Sequence, residues 1–141
     1  MHVFKPDFES YFKVLRYELA RLCSDFPWKR ELTSIYIGGG TPSVCPPHYL
    51  AAFLDLIRKQ FPTGLQPIEI TIEVSPKSPL SHMAQYMSCG INRFSCGLQS
   101  FNNKTLSTLG REHTSAMIDP ILQSLLALQG AKVNLDIIYG L

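Results

Sequence analysis

Ile68-Glu69-Ile70-Thr71-Ile72-Glu73-Val74 alternates apolar and polar side chains without a break. Strict alternation marks a strand, because successive side chains of an extended chain point to opposite faces. One face carries Glu69, Thr71 and Glu73; the other carries Ile68, Ile70, Ile72 and Val74. Two further runs repeat the pattern. Ile91 to Gln99 sets Arg93, Ser95, Gly97 and Gln99 against Phe94, Cys96 and Leu98, and Val133 to Ile138 sets Asn134, Asp136 and Ile138 against Val133, Leu135 and Ile137. A fourth β-rich run, 33–37, opens into Gly38-Gly39-Gly40-Thr41-Pro42-Ser43. Glycines without Cβ let the backbone turn sharply and lie against a ligand. Thr41 adds a hydroxyl, and Pro42 stops the strand. The same run also serves as a plain strand-to-helix connection, and a glycine motif alone does not separate the two readings.

Helical spacing fills the intervals. Phe8, Tyr11, Phe12, Leu15, Leu19 and Leu22 form a stripe over 7–24, ahead of Pro27. Leu50, Phe53, Leu54, Ile57 and Phe61 form a second, opened by Pro46-Pro47 and stopped by Pro62 and Gly64. Leu80, Met83 and Met87 mark a short helix closed by Gly90, and Asn102 to Leu109 a short helix or turn. A longer helix, capped by Thr114 or Ser115 and ended by Gly130, runs through Met117, Ile118, Ile121, Leu122, Leu125 and Leu128. The order α-β-α-β-α-β-α-β predicts an α/β fold of parallel strands joined by right-handed crossovers, in a single domain over 1–141. Strands covered by helices on both sides are apolar on both faces. One polar face therefore favours a partial (βα) barrel, packed outside under helices and polar inside, over an open doubly wound sheet. A polar face on an exposed or edge sheet is the remaining way to make the pattern. Gly40-Thr41, Glu73, Gln99 and Asp136 all fall at or near strand C-termini, where β/α barrels place their chemistry.

Composition sets bounds. With 141 residues, 45% hydrophobic and 17% charged, the chain reads as core-rich and globular. A net charge of +2 is too small to imply a nucleic-acid partner. No apolar stretch approaches the ~20 residues of a membrane span, and Met1-His2-Val3-Phe4-Lys5-Pro6 has no apolar signal region. Cys23, Cys45, Cys89 and Cys96 show neither a C-x-x-C pair nor zinc-finger spacing. Scattered cysteines of this kind are expected as reduced thiols in the cytoplasm.

Five segments occur in order: Ile35–Ser43, Glu69–Pro76, Gly90–Asn102, Leu109-Gly-Arg-Glu-His-Thr114 and Asn134–Leu141. Together they resemble the radical S-adenosylmethionine (SAM) proteins of the oxygen-independent coproporphyrinogen III oxidase and heme chaperone group. The stretch from Gly97 to Thr114 is closer to the chaperone branch, and the resemblance runs from about Phe8 to Leu141. It implies a partial (βα)6 barrel with a [4Fe–4S] cluster near the strand C-termini and SAM bound to its unique iron. It implies that Gly39, Gly40 and Thr41 hold the methionine amino group and that Glu73, Gln99, Arg111 and Asp136 complete the SAM pocket. The residue types suit those tasks: an arginine fork binds a carboxylate bidentately, and Glu, Gln or Asp accept from ribose hydroxyls. His113 reads as packing or polar support. Heme or a porphyrin is the implied partner.

The departures are as informative. The C-x-x-x-C-x-x-C loop that binds the cluster in this family is absent from 1–141, and Cys23 and Cys45 match no cluster position. Such a cluster with one open iron needs three thiolates. The chain thus resembles the middle of a radical SAM barrel, cut at both sides and expected to be inactive alone. Its open sheet edges, at the Ile35 and Val133 strands, invite self-association. Ser75 stands where the chaperone branch usually has Asn. Two other functions compete with a truncated radical SAM protein. A cluster-free protein could keep the SAM pocket, or bind heme through Cys45-Pro46 or one of His2, His48, His82 and His113. An unrelated barrel enzyme would use Gly38–Thr41 as an anion nest.

Overall fold

The computed structural model describes residues 6–25, 31–61 and 67–140. Helix α1 (Phe8–Asp25) leads to strand β1 (Ser34–Ile37), followed by α2 (Pro47–Gln60), β2 (Glu69–Val74), α3 (Leu80–Ser88) and β3 (Arg93–Gln99). Helices α4 (Asn103–Thr108) and α5 (Ile118–Leu126) then precede β4 (Lys132–Ile137). The strands form one parallel sheet in the order β1-β2-β3-β4, as alternation with helices requires. The expected stops at Pro27, Pro62 and Gly64 lie outside the described residues.

Register decides which side chains share a face. Tyr36 pairs with Thr71, Thr71 with Arg93 and Arg93 with Lys132; one step on, Glu73 pairs with Ser95 and Ser95 with Asn134. The polar residues thus form one continuous inner face. The outer face of β2 and β3, built from Ile70, Ile72, Val74, Phe94, Cys96 and Leu98, is buried in a core with Leu50, Leu54, Met83, Tyr86, Ile118, Ile121 and Leu125. Burying a single such side chain contributes about 1.5–3 kcal/mol, so this face fixes the sheet.

Several sequence expectations need correction. Tyr11 and Leu22 belong to the expected stripe of α1 but are 59% and 56% exposed. Only one narrow side of α1 meets α2: Phe12 is buried and stacks on Tyr49 at 5.4 Å, with Phe8 and Leu15 partly buried beside it. Leu135 and Ile137 were expected under helices, yet both stay exposed. The longer helix begins at Ile118, after a 3-10 turn at Ser115–Met117, and stops at Leu126. The Thr114 side chain makes no capping bond, and Asn103 Oδ1 accepts from the Ser115 N–H instead, at 2.8 Å. Pro120 sits in the first turn of α5, where a missing N–H breaks no helical hydrogen bond. Asn102 does cap α4, its Oδ1 accepting from Lys104 and Thr105 N–H.

Two loops at the C-terminal ends of the strands are tied together from below. The buried Tyr86 hydroxyl lies 2.6 Å from the Cys45 carbonyl and 3.0 Å from that of Ser43. Ser43 and Ser78 hydroxyls meet at 2.6 Å, and both accept from the Ser75 N–H. The loop after β1 is thereby fastened to α3 and to the turn after β2. Tyr86→Phe removes the one O–H that these two carbonyls share, and a buried acceptor left without a donor costs about 1–3 kcal/mol. We expect the variant to lose about 1–3 kcal/mol in urea unfolding with an unchanged m-value; an unaltered midpoint would show the tie to be idle.

Candidate functional site

A polar cavity of about 250 Å³ opens where the strands end. Gly40, Thr41, Glu73, Gln99, Arg111 and Asp136 line it, six of the seven residues singled out in the sequence, with Ser75, Ser95, Gly97 and His113 beside them. Gly39 is not in the lining, but its backbone N–H donates to Glu73 Oε2 at 3.3 Å.

Glu73 is held at both oxygens. The Tyr36 hydroxyl donates to Oε1 at 2.9 Å, and Gly39 N–H takes Oε2. Gly38 makes this arrangement possible: a Cβ there would come within 2.8 Å of the Tyr36 ring and 3.0 Å of Glu73 Oε1. The hydrogen bond to Glu73, then burial, raises the Tyr36 phenol above its ordinary range. Nothing in the spacing of the sequence singled out Tyr36. The signal was its alternation with Ile35 and Ile37, which puts it on the inner face.

Gln99 is the one non-glycine residue of the described chain with positive φ, at 66°. The strain follows from a bulge between Gly97 and Gln99 in the pairing with β4. Such a backbone costs about 1–3 kcal/mol and persists only where neighbours over-determine it. Here Ser100 N–H donates to Leu98 O at 2.8 Å and Ile138 N–H to Gln99 O at 2.9 Å. The Gln99 amide lies over Gly97, where a Cβ would be 2.9 Å from its Nε2. Across the bulge, Asp136 accepts from Ser95 Oγ at 3.1 Å and from Asn134 Nδ2 at 2.7 Å.

Arg111 follows Gly110, whose φ of +66° closes α4, with Arg111 N–H donating back to Leu106 O at 2.9 Å. Its neighbour Glu112 is turned away to Lys77, whose hydrogen bond holds the Glu112 carboxyl below its usual range. Among the described residues Arg111 makes no salt bridge, so its guanidinium is available to the cavity it lines. Two carboxylates, an amide and a free guanidinium in one small space suit a zwitterion with hydroxyl groups. A second charged tier lies at the other end of the sheet. Burial pushes Glu69 up, but Lys132 and Arg93, at 3.3 Å each, outweigh it and leave the carboxyl below its usual range.

The buried thiols, Cys45 and Cys96, are poor ligands as they stand. Burial pushes Cys45 and Cys96 up to about 12, and raises Cys89 as well. A metal or heme ligand is an accessible thiolate, whereas Cys45 is buried with its Sγ against the Pro46 carbonyl. Among the described residues no three His, Cys, Asp or Glu are grouped to hold a metal ion. A larger cavity of about 680 Å³ lies between α1, β1 and α2, lined mostly by apolar residues such as Phe8, Phe12, Ile35 and Phe53.

The buried thiols generate a pH dependence. Their folded-state pKa lies above the ordinary value of 9.0, so between about pH 9 and 12 the unfolded chain binds fewer protons than the folded one. Stability is therefore complete below pH 9 and falls as pH rises. Urea midpoints should decline over that window, and less steeply in Cys96→Ala once its lower baseline is allowed for. At pH 8, a thiol reagent should label Cys23 faster than Cys45 or Cys96.

Comparison with known proteins gives the frame for this site. The profile described as the Radical SAM superfamily matches residues 7–141. The heme chaperone HemW of Haemophilus influenzae is 41% identical over 115 residues, covering 80% of this chain and 30% of that protein. The oxygen-independent coproporphyrinogen III oxidase of Bradyrhizobium diazoefficiens is 31% identical over 137 residues, covering 94% of this chain and 29% of that protein. The structure of coproporphyrinogen III oxidase (HemN) from Escherichia coli, described as a radical SAM enzyme, superposes with a TM-score of 0.81 at 28% identity, over 95% of this chain and 31% of that one. The chain thus spans less than a third of the length of these relatives. With its parallel strands, its inward polar face and a profile match over nearly every residue, the chain belongs to the radical SAM superfamily.

Proposed function

We propose that these residues form the SAM-binding wall of a radical SAM protein of the heme chaperone and coproporphyrinogen oxidase kind, acting in heme or porphyrin metabolism. The observation that carries this reading is the convergence of Gly40, Thr41, Glu73, Gln99, Arg111 and Asp136 on one polar cavity at the strand C-termini. The donor set fits SAM. Glu73, already fixed by Tyr36 and Gly39, accepts from the ammonium. Arg111 presents its fork to the carboxylate, and Gln99 and Asp136 take the ribose hydroxyls. SAM brings a sulfonium whose bond to the 5′ carbon is the one that radical SAM chemistry breaks. The chain's own part is to bind and orient that molecule.

The [4Fe–4S] cluster does not fit the cysteines present. They are scattered over α1, the loop after β1, the end of α3 and β3, and the buried ones are held protonated. We propose that these 141 residues do not hold the cluster by themselves and do not cleave SAM alone. An anion nest in the glycine loop is disfavoured, since Gly39 N–H already serves Glu73 and two carboxylates line the cavity. The free thiols suit a reducing, cytoplasm-like setting. No helix among the described residues is long and apolar enough to cross a membrane.

Without the iron, SAM binding to this chain should be no tighter than roughly 100 μM, about −5.5 kcal/mol. Calorimetry should show Glu73→Ala and Arg111→Ala each weakening it further. Micromolar affinity indifferent to Glu73→Ala would defeat both the site and the magnitude. Anaerobic reconstitution with iron and sulfide should leave the chain without a stoichiometric cluster by iron analysis and electron paramagnetic resonance.

A further inference from the structure

His113 is 5% exposed, yet it lines the polar cavity. Its Nε2 lies 3.0 Å from the carbonyl oxygen of Leu98. A carbonyl only accepts, so Nε2 carries the proton. The neutral ring then has Nδ1 as a bare acceptor. Nδ1 has no partner among the described residues, while no buried side-chain nitrogen or oxygen there lacks one. Nδ1 is therefore not sealed in the core. With nearly all of the ring buried, the cavity is where that atom is open.

The contact to Leu98 explains half of the ring. That carbonyl also receives Ser100 N–H at 2.8 Å, at the bulge that gives Gln99 its left-handed backbone. The imidazole is thus a brace for the strained end of β3. A brace needs Nε2 and bulk. It does not account for a second ring nitrogen opened to a cavity that Glu73, Asp136 and Arg111 share.

We infer that His113 is a ligand-contacting residue: its Nδ1 accepts a hydrogen bond from an O–H or N–H of the molecule bound beside Arg111. The group it takes is a hydroxyl or an amino group, because a carboxylate or carbonyl would set lone pair against lone pair. His113 thereby orients a donor-bearing part of the ligand against the same Leu98–Gln99 corner that it braces. The inference rests on the reading of the cavity as a SAM site, where ribose hydroxyls and amino groups supply such donors.

The test uses the full 141-residue chain with histidine nitrogens labelled, at pH 8, and SAM as the probe. In the free protein, nitrogen NMR should show one histidine, missing from His113→Gln, with Nε2 protonated and Nδ1 bare. Saturation with SAM should move its Nδ1 resonance toward the hydrogen-bonded position while Nε2 stays in place. His113→Gln keeps an amide N–H for the Leu98 carbonyl and loses the cavity acceptor. It should melt close to the parent and bind SAM about tenfold more weakly, the size of one lost hydrogen bond. Three results would overturn the inference: a ring protonated at Nδ1, an Nδ1 signal indifferent to SAM that binds, or parental affinity in His113→Gln. If SAM binds neither the parent nor any variant, the SAM reading fails first and this inference falls with it. The wild-type nitrogen spectra decide the matter even where His113→Gln folds poorly.

Discussion

Everything at the cavity depends on the register between β2 and β3. Glu73 stands opposite Ser95, and Ser95 opposite Asn134. A slip of β3 by one residue would turn Ser95 and Gln99 into the core and bring Cys96 and Leu98 to the cavity. The outer face forbids this. Ile72, Phe94, Cys96 and Leu98 are fully buried against α3 and α5 residues that are equally buried. Moving Cys96 and Leu98 into a polar space while burying the Ser95 hydroxyl and the Gln99 amide among apolar side chains would use up much of the ~5–15 kcal/mol by which a domain is stable. The hydrophobic outer face thus aims the inner one.

The inner face is then refined by hydrogen bonds, in order of how fixed each group must be. Glu73 has both oxygens occupied and a glycine, Gly38, cleared for it. Asp136 is likewise held at both oxygens, by Ser95 and Asn134. Gln99 is placed by backbone strain, and the strain is borne by the bulge, by Ile138 and by His113. Arg111 is set only at its backbone, by the turn at Gly110. Anchored acceptors beside a guanidinium that makes no salt bridge among the described residues are an arrangement suited to a zwitterion. Such acceptors need little reorganisation to meet a ligand, while a long arginine side chain is free to adjust to one.

Alternation and turn chemistry made the sheet and most of its inner face legible in the sequence. Glu69-Ile-Thr-Ile-Glu-Val states its two faces outright, and six of seven proposed residues meet in one cavity. What was not legible arises between elements. The exposure of Tyr11 and Leu22 depends on how much of α1 meets α2, which a helical stripe does not encode. The replacement of a Thr114 cap by Asn103 comes from contact between a loop and α4. The bonds from Tyr36 to Glu73 and from His113 to Leu98 span 37 and 15 residues, beyond any local pattern.

The division of labour across the sheet also explains where the chain tolerates polarity. Glu69 is paired with Arg93 and Lys132, whereas Glu73 and Asp136 are satisfied by neutral donors and line the cavity. A carboxylate neutralised by a resident cation has little left for a ligand; one steadied by hydroxyls and amides retains it. The tier near the strand N-termini is thus closed on itself, and the tier near their C-termini is left open. The difference lies in the partners within reach of each carboxylate: Lys132 and Arg93 for Glu69, the Tyr36 hydroxyl for Glu73, and Ser95 and Asn134 for Asp136. Alternation puts all three carboxylates on the inner face, and position along the strand decides which of them stays open to a ligand.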